Sequence, residues 1–329
     1  MKTLCVSLVA LLLPYAILRA GETAGKMMTV TNEKGLVEIT APTFANVAYG
    51  EHPKQVIHFW KAESDKPAPL LIFIHGGSWT GGSRTDQRFC ALLPQMLKAG
   101  ISVASVEYRF IQDATADKVV PPVKGCLHDA ARAVQFLRSK AGEWNVDKSR
   151  IALSGGSAGS CTSLWVAFHD DLSDPQSSDP VARESTRVLC AAVAIAQTSL
   201  DPQQMKEWTP NSTYGGHAFG FKGDKAKGLS PFTEYLANRE KILPWIAEYS
   251  PYALVTKDDP PVYLSYGTKP ALGLEEIDPT HTSNFGVKLQ ERCKSLGVAC
   301  ELVYPGAPDV KHATVQDYLV DMLKAPGVK

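Results

Sequence analysis

Residues 151–160 read IALSGGSAGS, and this stretch decides which fold the rest of the sequence has to build. The apolar residues 151–153 predict a short buried strand, and the small residues 158–163 predict the start of a helix. Between them, residues 155–159 form a G-x-S-x-G pattern, in which a sharp strand-to-helix turn lifts the serine hydroxyl above a sheet. Side chains at Gly155 and Gly159 would collide with the neighbouring strand and helix. The stretch therefore predicts that Ser157 is an exposed nucleophile at the edge of a sheet.

The rest of the chain supplies the strands and helices that such a turn requires. Apolar runs bounded by turn residues recur along the sequence, as expected of buried parallel strands, and amphipathic helical patterns separate them. Two earlier segments look like strands joined by a short turn, which predicts an antiparallel edge. The pattern predicts an α/β fold with a mostly parallel central sheet and helices on both faces. The predicted strands are 47–49, 56–60, 70–74, 101–106, 151–153, 189–196, 262–266 and 300–304.

Residues 201–260 interrupt this alternation of strands and helices. Their middle part, 209–228, is rich in glycine, lysine and aromatic residues, and helical stretches follow around 232–247. We interpret the segment as a lid-like excursion over the sheet, where binding surfaces tend to lie. Surface decoration without a binding role is the alternative. In either case one domain, residues 21–329, accounts for the chain after its N-terminal segment.

A second glycine motif, residues 75–79 (HGGSW), directly follows the predicted strand 70–74. Acyl transfer places negative charge on a carbonyl oxygen, and glycines allow backbone N–H groups to approach that oxygen closely. Gly76 and Gly77, together with the N–H of Ala158, are the predicted oxyanion donors. His75 is expected to order this loop without taking protons. A purely structural turn is the alternative for any H-G-G motif.

Four motifs occur in the order seen in α/β-hydrolase carboxylesterases, and the chain resembles this family over residues 47–323. The motifs are IFIHGGSW at 72–79, VEYR at 106–109, RIALSGGSAG at 150–159 and DPPV at 259–262. The chain is similar to the branch that includes acetyl esterase/lipase enzymes, feruloyl and acetylxylan esterases, and kynurenine formamidases. The resemblance implies an α/β-hydrolase fold with a short lid-like insertion. It also implies serine carboxylesterase activity through an acyl-enzyme, with the residues in the order serine, acid, histidine.

The resemblance implies that His312 is the general base. In the family, the base lies in the loop after the last strand, and His312 follows the predicted strand 300–304 and the loop 305–307. Two other histidines, His217 and His281, also lie far downstream of Ser157. His217 falls in the lid-like region, and His281 is better explained as a neighbour of the acid.

The acid departs from the family pattern. The family often carries an Asp in an H-G-x-x-D motif after the strand equivalent to 262–266, whereas residues 265–270 (SYGTKP) contain none. The family Asp also tends to lie about eleven residues before a leucine on the next helix, a spacing shared by Asp278 and Leu289. The resemblance therefore implies Asp278 as the acid, displaced by an insertion at 271–277. Glu275 and Glu276 are the fallback candidates.

Trp79, Tyr214 and His217 are the predicted substrate-binding side chains. Aromatic residues near the lid suit the stacking of a sugar or a phenolic acid, and we expect de-esterification of acetylated or feruloylated polysaccharide. Two alternatives remain open. The same machinery could serve a kynurenine formamidase-like amidohydrolase, or the fold could be a catalytically silent binding protein, which the displaced acid would favour.

The balance of charges and the N-terminal segment restrict the kinds of binding partner that we expect for this protein. The chain has 34 basic and 34 acidic residues, so no net field draws it to nucleic acid or an acidic membrane surface. Lys2 precedes an apolar run at 4–18, which indicates a signal peptide over residues 1–20 and a secreted or periplasmic protein. An uncleaved anchor is the rival interpretation. The expected partner is a small-molecule or glycan ester, with no membrane attachment after signal removal.

No metal or other cofactor is expected. Residues 169–171 (HDD) resemble a metal cluster only superficially, because adjacent residues at a helix end point in different directions. The cysteines after residue 20 form no metal-type C-x-x-C pair, and most are expected to be small core residues. Cys293 and Cys300 flank a predicted helix-to-strand turn and are the pair to examine for a disulfide.

Overall fold

The computed structural model describes residues 26–32 and 34–325, so the predicted signal peptide at 1–20 lies outside the described residues. The strands of the described part are β1 (Met27–Asn32), β2 (Gly35–Thr40), β3 (Phe44–Ala48), β4 (Val56–Trp60), β5 (Ala68–Ile74), β6 (Ser102–Val106), β7 (Val146–Gly156), β8 (Cys190–Ala194), β9 (Val262–Ser265) and β10 (Cys300–Val303). The α-helices are α1 (Gln87–Lys98), α2 (Ile111–Ala116), α3 (Val123–Ser139), α4 (Ala141–Trp144), α5 (Ala158–Phe168), α6 (Pro202–Trp208), α7 (Pro231–Ala237), α8 (Leu243–Tyr249), α9 (Pro251–Leu254), α10 (Asn284–Leu296) and α11 (Val315–Lys324). None of these helices combines the length and the apolar character needed to cross a membrane.

The central sheet of the described part has eight strands in the order β10-β9-β8-β7-β5-β6-β4-β3. The strands from β5 to β10 pair in parallel, whereas β4 pairs antiparallel with both β3 and β6. β1 and β2 form a separate antiparallel pair. The prediction of a mostly parallel sheet with an antiparallel edge is confirmed. All the parallel strands end at the same edge, which is where Ser157 follows β7.

Helices cover both faces of this sheet, which explains why its strands are apolar almost without interruption. Every residue of β5 is buried. On one face, α3 and α5 pack onto the sheet through side chains such as Val134 and Leu164. On the other face, α1 and α11 pack through Phe89 and Leu319. Burying one such side chain contributes about 2 kcal/mol, so both helix layers are firmly held against the sheet.

The excursion at 201–260 is a helical layer with its own apolar interior. It contains α6 to α9 and three short 3-10 helices. Met205 and Tyr235 are completely buried within it, and Asp201 pairs with Arg239 at 2.7 Å. The indole Nε1–H of Trp165 on α5 donates to the carbonyl of Glu248 at 2.9 Å, which ties the layer to the central domain. The segment therefore has a defined position beside the site.

The cysteines of the described residues are free thiols. Cys293 and Cys300, the pair considered for a disulfide, are both free thiols, and each shifts the pKa of the other, lowering that of Cys293 and raising that of Cys300. Cys126, Cys161 and Cys190 are completely buried, as expected of cysteines that act as small core residues. Within the described ranges, no group of three or more His, Cys, Asp or Glu side chains is placed to hold a metal ion.

His58 on β4 makes the fold sensitive to acid. Its side chain is buried beside Trp60, and its Nδ1 accepts a hydrogen bond from the backbone N–H of Asn46 at 3.1 Å. Burial, together with the smaller effect of the nearby Arg84 charge, lowers the pKa of His58 to about 3. Since the unfolded chain binds this proton near pH 6.5 and the folded chain does not, the stability contribution is complete above that pH and is lost as the pH falls toward 3.

Between pH 7 and pH 5, His58 should therefore lower the free energy of unfolding by about 2 kcal/mol. His58→Asn keeps an acceptor close to the Nδ1 position but does not titrate. Urea unfolding of both proteins at several pH values measures the difference. The substituted protein should lose less stability over this interval, and equal pH slopes would contradict the burial of an uncharged imidazole.

Candidate active site

The turn between β7 and α5 presents Ser157 at the carboxyl edge of the sheet. Its backbone has φ 53° and ψ −121°, a conformation that is strained for any residue with a side chain. The glycines on both sides are required for steric reasons. A Cβ atom at Gly155 would lie 2.6 Å from the carbonyl oxygen of Ile74, and one at Gly159 would lie 2.6 Å from that of His75. The predicted geometry of the turn is confirmed. This strained backbone conformation places the Ser157 hydroxyl above the sheet.

His281 is the imidazole that contacts Ser157. Its Nε2 lies 2.9 Å from Ser157 Oγ, and its Nδ1 lies 2.8 Å from Oδ2 of Asp278. A carboxylate only accepts, so Nδ1 carries the proton and Nε2 is free to accept the hydroxyl proton. This arrangement can activate the serine and stabilise the imidazolium that forms. Asp278 thus lies where the sequence predicted the acid.

The expectation that His312 lies beside Ser157 is wrong. His312 is 7% exposed, and its ring bridges two carboxylates, with Nδ1 2.8 Å from Glu301 and Nε2 3.0 Å from Asp321. Tyr263 on β9 also donates its hydroxyl to the His312 carbonyl. The loop after β10 therefore folds back over the face of the sheet, and His312 joins β10 to α11. Both ring nitrogens are directed at carboxylates, so neither faces Ser157.

Three amide side chains, two of them completely buried, hold the loop that carries Asp278 and His281. Gln197, directly beyond β8, donates from Nε2 to the carbonyl of Thr280 at 2.7 Å. Asn211 bonds both the N–H and the carbonyl of Glu276, and Asn284 bonds the N–H of Ala271. Asn284 also donates to the carbonyl of Trp208 at the end of α6. The helical layer and the sheet edge therefore position the imidazole together.

Two backbone N–H groups beside Ser157 are available to a substrate oxygen. Gly77 has φ 101°, which only glycine adopts readily, and Ala158 is the first residue of α5. In the described residues, neither N–H donates a hydrogen bond to the protein. Gly76 lies close to the serine, since a Cβ there would be 3.4 Å from Ser157 Cβ. The structure thus places Gly76 and Ala158 next to Ser157, and Gly77 follows Gly76 in the chain.

His75 orders this loop, as predicted. The side chain is completely buried, with Nδ1 2.8 Å from the carbonyl of Gly76 and Nε2 2.9 Å from Glu107. The hydroxyl of Tyr108 donates to the His75 carbonyl at 2.8 Å, and the two rings are stacked. His75 is therefore part of the scaffold below the glycines and does not face the serine.

The three predicted substrate-binding residues form one cluster, but Trp79 has no surface to offer a substrate. Trp79 is completely buried, and its Nε1–H donates to Thr162 at 2.9 Å. Tyr214 and His217 pack against it and remain partly exposed. His217 Nε2 lies 3.0 Å from the carbonyl of Ser78, and burial lowers the pKa of this imidazole. A neutral His217 donor thus ties the helical layer to the glycine loop.

The three-residue spacing of Asp278 and His281 is the sequence signal that would have identified the imidazole beside Ser157. The two residues are three positions apart, and the backbone N–H of His281 bonds the Asp278 carbonyl in a turn. A short turn of this kind brings a carboxylate and an imidazole together without help from the rest of the fold. The segment directly after the insertion at 271–277 therefore carries both the carboxylate and the imidazole, in the chain order serine, acid, histidine.

Comparison with known proteins agrees with the fold. A family model described as BD-FAE matches residues 57–272, which include β4 to β9, the glycine loop and Ser157. The chain belongs to the BD-FAE family. This BD-FAE protein is 31% identical over 153 residues to esterase LipC of Mycobacterium tuberculosis, a match that covers 45% of this chain and 35% of LipC. The matched part thus spans about a third of that relative's length.

Solved structures share the architecture of this BD-FAE protein. A truncated carbohydrate esterase from gut microbiota has a TM-score of 0.62 and 17% identity, and the match covers 85% of this chain and 96% of that one. Thermogutta terrifontis esterase 2 phosphonylated by sarin has a TM-score of 0.57 and 21% identity, and the match covers 80% of this chain and 86% of that one. At these identities the likeness establishes the α/β-hydrolase fold of the BD-FAE protein.

Proposed function

We propose that this protein is a serine carboxylesterase in which Ser157 is the nucleophile, His281 the general base and Asp278 the acid. The observation that carries the proposal is the continuous hydrogen-bonded chain from Ser157 through His281 to Asp278, built on a strained turn at the sheet edge. The matched relative LipC is named an esterase, and a structural neighbour is an esterase phosphonylated by sarin, which supports the same chemistry.

The first half of the proposed reaction forms an acyl-enzyme. His281 Nε2 takes the proton of Ser157 as Oγ attacks the ester carbonyl carbon, and Asp278 stabilises the resulting imidazolium. The N–H groups of Gly77 and Ala158 donate to the oxyanion, and Gly76 leaves room for it beside the serine. When the tetrahedral intermediate collapses, the bond to the alcohol oxygen breaks and His281 returns the proton to the departing alcohol.

The second half uses the same groups with water. His281 removes a proton from a water molecule, and the resulting hydroxide attacks the acyl carbonyl. The acid is released and Ser157 regains its proton. The side chain of His281 is 29% exposed and that of Asp278 is 58% exposed, so water reaches the base directly from the solvent.

We propose esters on a carbohydrate as the substrate class. An exposed base at the sheet edge gives a polymer chain direct access, which a buried tunnel would not. Structural neighbours include a carbohydrate esterase and an acetyl ester-xyloside bifunctional hydrolase, which is consistent with this choice. A leader at residues 1–20 would bring the protein outside the cytoplasm, where such polymers occur.

Fluorophosphonate labelling followed by peptide mass spectrometry tests the activity and the nucleophile together. We expect one adduct per chain, located on Ser157, and hydrolysis of p-nitrophenyl acetate that the adduct abolishes. A panel of acetylated xylan, feruloylated arabinoxylan and N-formyl aromatic amides then separates the substrate classes. No labelling and no ester turnover would favour a silent binding protein, and turnover confined to the formamides would replace the esterase with an amidohydrolase.

A further inference from the structure

We propose that a cleft between α1 and α11, next to Ser157, is a subsite for a carboxylate on the substrate, and that Arg88 binds it. The inference rests on the proposed esterase function, because it concerns which esters the site prefers. It adds a residue that neither the turn motif nor the glycine loop contains.

The cleft lies on the α1 and α11 face of the sheet, at the level of the serine turn. Its volume is about 240 Å³. Phe73, Leu92 and Val315 form an apolar floor, while Arg88 and Gln316 supply polar groups. Its end nearest the turn is formed by Gly155, two residues before the proposed nucleophile.

Arg88 reaches the turn directly. Its side chain covers Gly156, the residue before Ser157, so closely that a Cβ on Gly156 would lie 2.8 Å from Arg88 Cδ and 3.3 Å from one guanidinium nitrogen. The absence of a side chain at position 156 is therefore what lets the guanidinium approach the serine. A substrate group bound by Arg88 would be linked through only a few bonds to the ester carbonyl that Ser157 attacks.

Arg88 has no carboxylate partner among residues 26–32 and 34–325, and its side chain is exposed. Arg84, four residues earlier, differs in this respect because it faces Glu107 at 3.6 Å. The residues that line the cleft include no Asp or Glu. An unpaired guanidinium above an apolar floor, with no competing carboxylate, is suited to a bidentate bond with a carboxylate on a short carbon skeleton.

The remaining geometry explains why this side of the serine is open. The base reaches Ser157 from the loop after β9, and the loop after β10 folds away with His312 against Glu301 and Asp321. On the opposite face, Tyr214 packs against the buried Trp79. The acyl or the alcohol part of an ester bound at Ser157 can therefore extend into the cleft between α1 and α11.

The carboxylate could belong to the acyl group or to the alcohol, and matched ester pairs distinguish these sources. For the acyl side, p-nitrophenyl hemisuccinate is compared with its neutral methyl ester, after subtraction of spontaneous hydrolysis. For the alcohol side, 4-carboxyphenyl acetate is compared with 4-carbamoylphenyl acetate. The quantity of interest is the ratio of kcat/KM for the charged ester to that for its neutral match.

We expect Arg88→Gln to lower this ratio about tenfold in one of the two pairs, because a charge-assisted bidentate bond is lost. Arg88→Lys keeps the positive charge but not the bidentate fork, so it should lower the ratio less than Arg88→Gln does, which distinguishes charge from packing against Gly156. Lys98→Gln, which removes an exposed positive charge from the last turn of the same helix, is the matched control and should leave the ratio unchanged.

A ratio unaffected by Arg88→Gln in both pairs would overturn the subsite, as would equal losses in the Gln and Lys variants. These results are distinct from a failure of the proposed function. If the wild-type protein hydrolyses the neutral esters, the esterase proposal stands whatever the ratio shows. If it hydrolyses none of the four, the esterase proposal itself fails.

Discussion

Replacing His281 with alanine is expected to lower kcat/KM for p-nitrophenyl acetate by about 10⁴-fold, because the serine then has no base within proton-transfer distance. The Ser157 Oγ to His281 Nε2 distance of 2.9 Å is the basis of this expectation. The side chain is partly exposed, so truncation should leave the fold intact. Circular dichroism and thermal unfolding of the variant check that point, and initial rates at several substrate concentrations give kcat and KM separately.

His312→Gln is the matched control, because it removes the other imidazole that follows a strand near the C-terminus. Glu301 and Asp321 would each lose a hydrogen-bond donor, so the free energy of unfolding should fall by roughly 1 kcal/mol. Turnover should stay within a few-fold of the wild-type value. The opposite pattern, with His312→Gln inactive and His281→Ala active, would show that a rearranged loop brings His312 to the serine.

Replacing Ser157 with alanine is expected to remove p-nitrophenyl acetate hydrolysis almost completely, by about 10⁴-fold to 10⁶-fold, because no acyl-enzyme can form. Burst kinetics on the wild-type protein would show the acyl-enzyme directly, and the variant should show neither a burst nor fluorophosphonate labelling. Residual turnover within tenfold of wild type would move the nucleophile elsewhere and end the proposed mechanism.

Ser157→Gly separates the chemical role of this residue from the strain of its backbone. Both variants lack the nucleophile, but only glycine adopts φ 53° and ψ −121° without a steric penalty. The glycine variant should therefore be more stable than the alanine variant by about 1 kcal/mol, measured by urea unfolding. Equal stabilities would mean that the turn relaxes when the serine is absent.

Local sequence patterns identified the serine turn and the glycine loop because their chemistry is confined to a few consecutive residues. Gly155 and Gly159 are required by contacts with the carbonyls of Ile74 and His75, and a G-x-S-x-G pattern after an apolar run already implies those contacts. The strands were also readable, since both of their faces are covered and they are apolar at nearly every position. Asp278 was predicted from its distance along the sequence to Leu289 on the next helix, a spacing that resembles the family pattern.

The imidazole beside Ser157 was not identified from the sequence by the same means. His281 and His312 both follow a strand of the sheet, and each lies near carboxylates in the chain. Which of them reaches Ser157 depends on the paths of two loops. Gln197, Asn211 and Asn284 hold the loop after β9 at the sheet edge through side-chain hydrogen bonds to its backbone.

The sequence by itself determined the α/β sheet, the strained turn that exposes Ser157 and the glycines beside it, because each is encoded in a short run of residues whose apolar or small side chains already limit how that run can pack. Only the tertiary structure decided that His281 is the imidazole at the serine and that His312 joins β10 to α11. It also decided that Arg88 covers Gly156. These contacts join residues far apart in sequence, and their geometry is set by how loops pack across the sheet edge.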